Sequence, residues 1–579
     1  MFPARRLKSV LELQNIALQI GPEDAPVYLL QDVSLRVEGG GLLVAVLGPS
    51  GCGKSTLMKV VAGLKEATAG SVLWEGRNLA EEGDFEPHEV GYVPQFSIAH
   101  ERLEVWECIE DAVRLRCGGL SQTEVNERVD VILEEVGMAS IAEKRVEVLS
   151  GGQRRRLALG MELVSSPRVL LCDEVTSGLD PKAEDEITGL LRSAADKGRT
   201  VLNITHSLKH LKSHDSVVVL VQGFLAYHAS PAYLLHYFGI NHQEDLYPAL
   251  AQRTPEDWGK SWQKHKTSYE KLPVGGAAPS VSPIAESEKV VEREHRSAGF
   301  ATQLGVVLSR RWKLFWRDPG QVRLQLALML GFPCLVVVFA LNGLPALRAV
   351  AELPEDPLKQ MVSDFSAKLE YLRVGGMVSG LIMFQVVLLA LMGANNAARE
   401  IAGERLILEK EKFSGLTPLA YIVSKVAFLS VLVAVQSVWM SLFVHLVVQM
   451  PGSLLSQTLL LVLVNAAMTA VSLGISGVMA TAEQSSLVSV YLVGFQLPLS
   501  GAVLALPEWL GVVTRPLIAS YWGWAGFLQT LSDTRFYTAV QAMTQTPLAS
   551  AQMVVGVLLC QALLGVSLAY WGCKGGRWE

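Results

Sequence analysis

The sequence predicts two folds in series. An α/β domain with a parallel-sheet core and a helical subdomain covers residues 1–250. An all-α domain of six membrane-spanning helices covers 321–579. Three observations predict this. Short β-type runs separated by glycine-rich turns alternate with helical stretches up to about residue 240. Six later segments approach or exceed the roughly 20 apolar residues that cross a bilayer. Charged residues are common up to about Arg317 and sparse after Tyr421.

Length and composition agree. At 579 residues the chain is too long for one hydrophobic core. Its charged fraction is 18% against a soluble average of about 25%, and half of all residues are hydrophobic. The net charge of −6 gives no sign of a general nucleic-acid binder. The 7 cysteines are odd in number and lack framework spacing, which favours reduced thiols. The first residues, MFPARRLKSVLELQNIAL, contain no signal-peptide h-region, so membrane insertion is expected from the later segments.

In the first domain the β-type runs include Leu42–Leu47, Val169–Cys172 and Thr200–Ile204. Residues 251–299 read as a linker, charged and rich in Pro, Gly, Ala and Ser from Gly259 onward. Residues 300–320 read as an amphipathic connecting helix. Phe300, Leu304, Val307, Leu308, Phe315 and Trp316 recur at helical spacing beside Arg310, Arg311, Lys313 and Arg317, a pattern that suits a membrane surface, with an ordinary packed surface helix as the alternative. The expected spans are 322–342, 374–396, 421–448, 455–480, 487–506 and 551–572, with Pro333 and Pro498 tolerated inside them.

The chemistry lies in the first domain. Gly48, Pro49, Ser50, Gly51, Cys52, Gly53, Lys54, Ser55 and Thr56 satisfy G-x-x-x-x-G-K-[ST] directly after a β-type run. The glycines let backbone N–H groups face phosphates. Lys54 supplies positive charge, and the Ser55 hydroxyl can ligate Mg²⁺. A buried strand, VLLC, then ends in Asp173 and Glu174. Asp173 can sit beside Mg²⁺, and Glu174 can act on the attacking water as base or orienter. Between them, Ser150, Gly151, Gly152 and Gln153 can open a helix N-terminus towards an anion.

The order GPSGCGKST, LSGGQ, VLLCDE, SGLD, TH resembles that of the ATP-binding cassette (ABC) ATPases over essentially the whole first domain. The resemblance implies ATP and Mg²⁺ as cofactors. It makes Gln95 of GYVPQ a Mg²⁺-touching residue that faces the membrane domain, and His206 a γ-phosphate contact. It makes Asp180 of SGLD part of the D-loop and Tyr28 the adenine-stacking aromatic. In this family the signature of one subunit completes the site of another, so Ser150, Gly152 and Gln153 would serve a partner's Lys54. One ATPase domain per chain then implies a dimer, most simply a homodimer.

An ATPase followed by six spans resembles the G subfamily, the White/breast-cancer-resistance type, and its bacterial relatives. The segments at 223–240, 395–425 and 500–510 carry this resemblance. The loop 397–420 would be cytosolic, and its dense charge suits either a solvated face or a coupling helix. Arg399, Arg405, Lys410, Lys412, Lys574 and Arg577 would fall on the same side as the ATPase. Polar residues inside the spans, Gln325, Gln385, Gln436, His445, Asn465 and Gln496, fit helix–helix hydrogen bonds for the most part. By resemblance, spans two and five line a cavity, with Leu389, Met392, Gln496 and Ser500 as candidates for its wall. Ala502-Val503 stands where the human drug exporter carries a leucine plug. The loop 507–550 is long enough for a folded cap, and its lack of cysteine and asparagine favours a bacterial inner-membrane protein.

The expected function is export of a hydrophobic or amphipathic molecule by a dimer in the lipid bilayer, with no nucleic-acid partner. The alternatives are a polymer or glycoconjugate exporter and a non-transporting ATPase that passes force to another membrane protein.

Overall fold

The computed structural model describes residues 10–21, 26–83, 85–96, 98–270, 298–341, 365–502 and 506–575. Outside them lie 271–297 of the expected linker, most of the stretch between the first two expected spans, Val503 and Arg577. The chain forms two compact units, residues 1–302 with Lys410–Gly415 and Gln303–Glu409 with Leu416–Arg577.

The first unit is built on a six-stranded sheet. Its strands run in the order Phe224–Ala229, Ser216–Val221, Leu43–Leu47, Thr200–Ile204, Val169–Cys172, Val90–Val93. All neighbours are parallel except the first pair. The central strands are buried along their whole length, because crossover helices cover both faces of a parallel sheet. A second, antiparallel sheet pairs Val10–Ile20 with Val27–Glu38 and Ala69–Trp74. The helices Val105–Arg116, Gln122–Glu135 and Gly151–Leu163 pack together as the expected helical subdomain.

The structure differs from the expected linker over its first part. Pro255–Glu270 is a helix packed on the strand Phe224–Ala229. Trp258 and Trp262 are buried in the core of the unit, with the Trp262 ring 5.5 Å from that of Tyr227. Aromatic burial outweighs a composition that otherwise reads as linker.

The second unit is helical. Among the described residues five helices are long and apolar enough to cross a membrane: Pro319–Ala340, Phe365–Ala397, Pro418–Val448, Leu454–Val478 and Ala551–Lys574. The fifth expected span is shorter than its apolar run. Its helix, Ala482–Gln496, has 15 residues and passes at Pro498 into a 3₁₀ turn. At 1.5 Å per residue that is about 22 Å, short of a hydrocarbon core of about 30 Å. Proline lacks the N–H that would carry the helix on.

The expected cap at 507–550 is also different. Glu508–Thr514, Ala519–Gln529 and Arg535–Met543 are short helices, and the middle one is buried from Ala519 to Leu528. Its sequence, ASYWGWAGFLQ, is apolar all round, which suits an interior element. Trp524 Nε1 finds Ser379 Oγ at 3.0 Å. The connecting helix, Phe300–Trp316, buries Arg310 and Arg311 and leaves Lys313 half-buried.

His228 gives the first unit an acid-sensitive point. It is buried on the strand Phe224–Ala229, and among the described residues its Nδ1 has no hydrogen-bond partner. Burial, with Lys266 nearby, pushes its pKa down to about 4. The unfolded chain therefore binds this proton between about pH 6.5 and pH 4 while the folded chain does not. Stability is lost as pH falls through that window, by an amount on the order of 3 kcal/mol. His228→Asn should flatten the dependence, read as the acid midpoint of tryptophan fluorescence. An unchanged midpoint would show that His228 is not the group titrating.

Candidate nucleotide site

Three chain segments meet at the C-terminal ends of the parallel strands. The loop after Leu43–Leu47 opens with Gly48 at φ 150° and Gly53 at φ 102°. A Cβ on Gly48 would lie 2.3 Å from the Leu220 carbonyl oxygen, so only glycine fits there. This loop leads into the helix Lys54–Val61, placing backbone N–H groups and the positive helix end at one spot. Lys54 is buried, and its Nζ donates to Gly48 O at 2.8 Å and Pro49 O at 2.9 Å. The loop thus holds the ammonium at its own rim, where an anion would meet it.

Asp173 follows the strand Val169–Cys172, and its Oδ1 accepts from Ser55 Oγ at 2.9 Å. Its other oxygen accepts from Tyr92 OH at 3.3 Å. Burial raises the Asp173 pKa, opposed by the hydrogen bonds from Ser55 and Tyr92. A carboxylate that is costly to ionise beside a hydroxyl is a hard-oxygen pair suited to Mg²⁺. Burial and the Asp173 charge drive the Tyr92 phenol far upward, so it remains a donor.

Glu174 adopts φ 51°, a left-handed conformation that is strained for a non-glycine residue. Its two oxygens are held separately, one by His206 Nε2 at 2.9 Å and the other by Gln95 Nε2 at 3.0 Å. Gln95 is therefore brought to Glu174 rather than to the Ser55–Asp173 pair. Behind them Thr205 and Thr176 hydroxyls lie 3.4 Å apart.

The signature lies at the start of Gly151–Leu163, with Ser150 and Gly151 exposed and Gly152 and Gln153 half-buried. Ser150 N donates to Gln153 Oε1 at 3.0 Å and Gln153 N to Ser150 Oγ at 3.4 Å, a capping box. Asp180 caps Pro181–Asp196, accepting from Lys182 N and Ala183 N. Tyr28 is half-exposed on Val27–Glu38, next to Leu29, whose carbonyl borders Gly53.

Four residues were not singled out from sequence. Tyr92 lies within the quoted GYVPQ, and its alternation with Gly91 and Val93 on a buried strand was the available signal. Arg155 is half-buried, and the Glu174 charge opposes the effect of burial on its pKa. Glu162 and Arg116 form the third group with Lys410, one of the residues 410–415 that belong to the first unit. Glu162 pairs with Arg116 at 2.6 Å and Lys410 at 3.3 Å, all nearly inaccessible. Burial alone would raise the Glu162 pKa, but the two cations outweigh it and hold it low. Removing one member of such a buried cluster costs about 3–5 kcal/mol.

In the second unit the residues considered for a cavity wall are interior. Leu389, Met392, Gln496 and Ser500 are all buried. Gln496 Oε1 accepts from Ser520 N at 3.0 Å, and Ser500 Oγ donates to Leu497 O. Gln325, Asn396, Gln436 and Asn465 hydrogen-bond to one another and to Ser437.

Fold and site define a P-loop ATP-binding domain joined to a helical membrane domain. Residues 30–177 match the family model described as ABC transporter, and 302–523 match ABC-2 type transporter. The energy-coupling factor transporter ATP-binding protein EcfA1 of Streptococcus pneumoniae is 32% identical over 39% of this chain and 82% of its own length. The chain belongs to the ABC transporter family, with an ABC-2 type membrane domain second in order. The ABC transporter ATP-binding/permease protein Rv1747 of Mycobacterium tuberculosis is 31% identical over 75% of this chain and 47% of its own. The maltose/maltodextrin import ATP-binding protein MalK of Mannheimia succiniciproducens is 32% identical over 39% and 60%. The chain thus spans about half the length of one of these curated relatives and three fifths of another.

Tyr92→Phe removes one donor from Asp173 and leaves the fold of the strand. It should weaken Mg²⁺-dependent binding of an ATP analogue about fivefold, a loss of about 1 kcal/mol. Binding measured in chelator should not change. Equal affinity with Mg²⁺ in the two proteins would remove Tyr92 from the site.

Proposed function

We propose that the chain is an ATP-hydrolysing half-transporter that works as a homodimer and exports a hydrophobic or amphipathic molecule, lipid-like or drug-like. The observation that carries the hydrolytic part is Glu174, fixed by His206 and Gln95 at the end of the strand that presents Asp173. A carboxylate held at both oxygens is preorganised to orient water and accept its proton. Lys54 and the glycine-loop N–H groups bind the phosphates. Ser55 and Asp173 would hold Mg²⁺, which supplies charge neutralisation on the phosphoryl oxygens. Gln95 and His206 position Glu174.

The dimer is supported by the signature, whose Ser150 and Gly151 are exposed at the start of their helix. Export of an apolar cargo is supported by membrane helices whose buried amides satisfy each other. The order of the two domains, the G-subfamily resemblance and the sharing of Lys410–Gly415 with the ATPase unit favour coupling through the loop 397–420. In this reading the ATPase domain and both termini are cytosolic, in a bacterial inner membrane.

Two measurements test the reading. Glu174→Gln should leave ATP binding intact and reduce turnover at least a hundredfold in purified protein, and unchanged hydrolysis would remove Glu174 from its role. Mixed dimers of a Lys54→Ala chain with a Gly152→Asp chain keep one complete site only if the signature acts in trans. ATP binding and turnover should then recover on mixing, and inactivity equal to that of either parent would place the signature in cis.

A further inference from the structure

Within the membrane unit, the chain between Ala482–Gln496 and Ala551–Lys574 places an arginine at membrane depth. Gln561 Nε2 donates to Pro516 O at 2.7 Å. Gln561 lies about 15 Å along the helix that starts at Ala551. That helix has 24 residues and is about 36 Å long, against a hydrocarbon core of about 30 Å. Pro516 therefore sits within the hydrocarbon thickness, in the half nearer Ala551.

Arg515 is the residue before it. Its backbone is pinned, because Trp522 Nε1 donates to Arg515 O at 2.7 Å. Its side chain runs back along the helix Glu508–Thr514, towards the bilayer edge. A Cβ on Gly511 would lie 2.8 Å from Arg515 Nη2 and 3.0 Å from its Cζ, so the guanidinium occupies the space that a side chain there would take. The Tyr521 ring centroid lies 5.4 Å from the same Cζ, and the Tyr521 hydroxyl is fixed on Pro547 O at 2.8 Å. Yet nothing neutralises the charge. Among the described residues Arg515 Nε is buried without a hydrogen-bond partner, and the guanidinium forms no ion pair. Glu508, the acid at the other end of the helix, is exposed and about 10 Å away along the axis.

The same turn exposes apolar surface. Trp509, Val512, Val513 and Leu517 are 71%, 64%, 66% and 71% exposed, and the spacing of the first three puts them on one helix face. An unpaired cation at this depth is costly, and an anion that carries its own hydrocarbon would relieve it.

We propose that Arg515 binds the phosphate of an anionic phospholipid from the bilayer half nearer Ala551, with the acyl chains against Trp509, Val512, Val513 and Leu517. The planar fork of the guanidinium suits two phosphate oxygens at once. A zwitterionic head group is disfavoured, because its own ammonium competes for the phosphate. The inference needs the membrane domain and not the export reading.

The test uses full-length protein in phosphatidylcholine nanodiscs doped with either of two photoreactive lipids. Phosphatidylglycerol and phosphatidylcholine probes carry the same diazirine in one acyl chain, and labelled peptides are mapped by mass spectrometry. Peptides over 506–517 should take up the phosphatidylglycerol probe severalfold more than the phosphatidylcholine probe. Arg515→Gln should bring the two probes to parity. Arg515→Met, which adds no polar group, serves if Arg515→Gln does not fold. An excess of glycerol 3-phosphate should leave the preference intact. Parity in the unmodified protein overturns the proposal, and so does a preference that survives both substitutions. Loss of the preference to glycerol 3-phosphate marks a site for soluble anions and overturns the lipid. No labelling of 506–517 by either probe marks a face covered by a second copy and also overturns it.

Discussion

Everything chemical in the first unit depends on a hydrogen bond between residues 118 positions apart, from Ser55 Oγ to Asp173 Oδ1. It joins the phosphate loop to the strand that ends in two carboxylates. The parallel sheet makes it possible, because Leu43–Leu47 and Val169–Cys172 both flank Thr200–Ile204. Parallel strands bring their C-terminal ends to one edge, so loops distant in sequence open onto a common crevice. His206 enters from the strand between them and Gln95 from the strand beyond. The site is thus a consequence of strand order, and a sheet with those strands permuted would scatter the same residues.

That dependence explains what could be read in advance. Gly48–Thr56, Asp173 and Glu174 are each coded within a few residues, because a backbone nest or a strand ending in acids is a local object. Their meeting is not local, and the family resemblance supplied it. Tyr92 shows the gap. It stands three positions before Gln95 in a short quoted motif, yet its hydroxyl reaches Asp173 only because Val90–Val93 pairs with Val169–Cys172.

The charge-dense loop shows the opposite failure. Glu400, Arg405, Glu409 and Lys410 occur in a run that composition alone reads as a solvated face, but all four are buried. Glu400 is held by Arg311 and Lys425, the latter at 3.1 Å and also bonded to Glu404 at 2.6 Å. The Arg311 guanidinium lies 4.1 Å from the Phe428 ring centroid. Isolated buried charges are too costly to persist, and these meet partners outside the run, Glu400 in Arg311 and Lys425 and Lys410 in Glu162. Hydropathy failed at Ala482–Gln496 for a related reason. An apolar run reports what tolerates lipid or a protein interior, and it cannot say where a proline ends the helix.

In the membrane unit a cluster of buried amides is spent on neighbouring helices. Gln436 Nε2 reaches Gln325 Oε1 at 2.9 Å and Asn396 Oδ1 at 3.1 Å, while Asn465 Nδ2 reaches Ser437 Oγ at 3.1 Å. Four helices are tied through these amides, and none of the four is left facing apolar space. Such ties hold because no water competes for the same donors and acceptors.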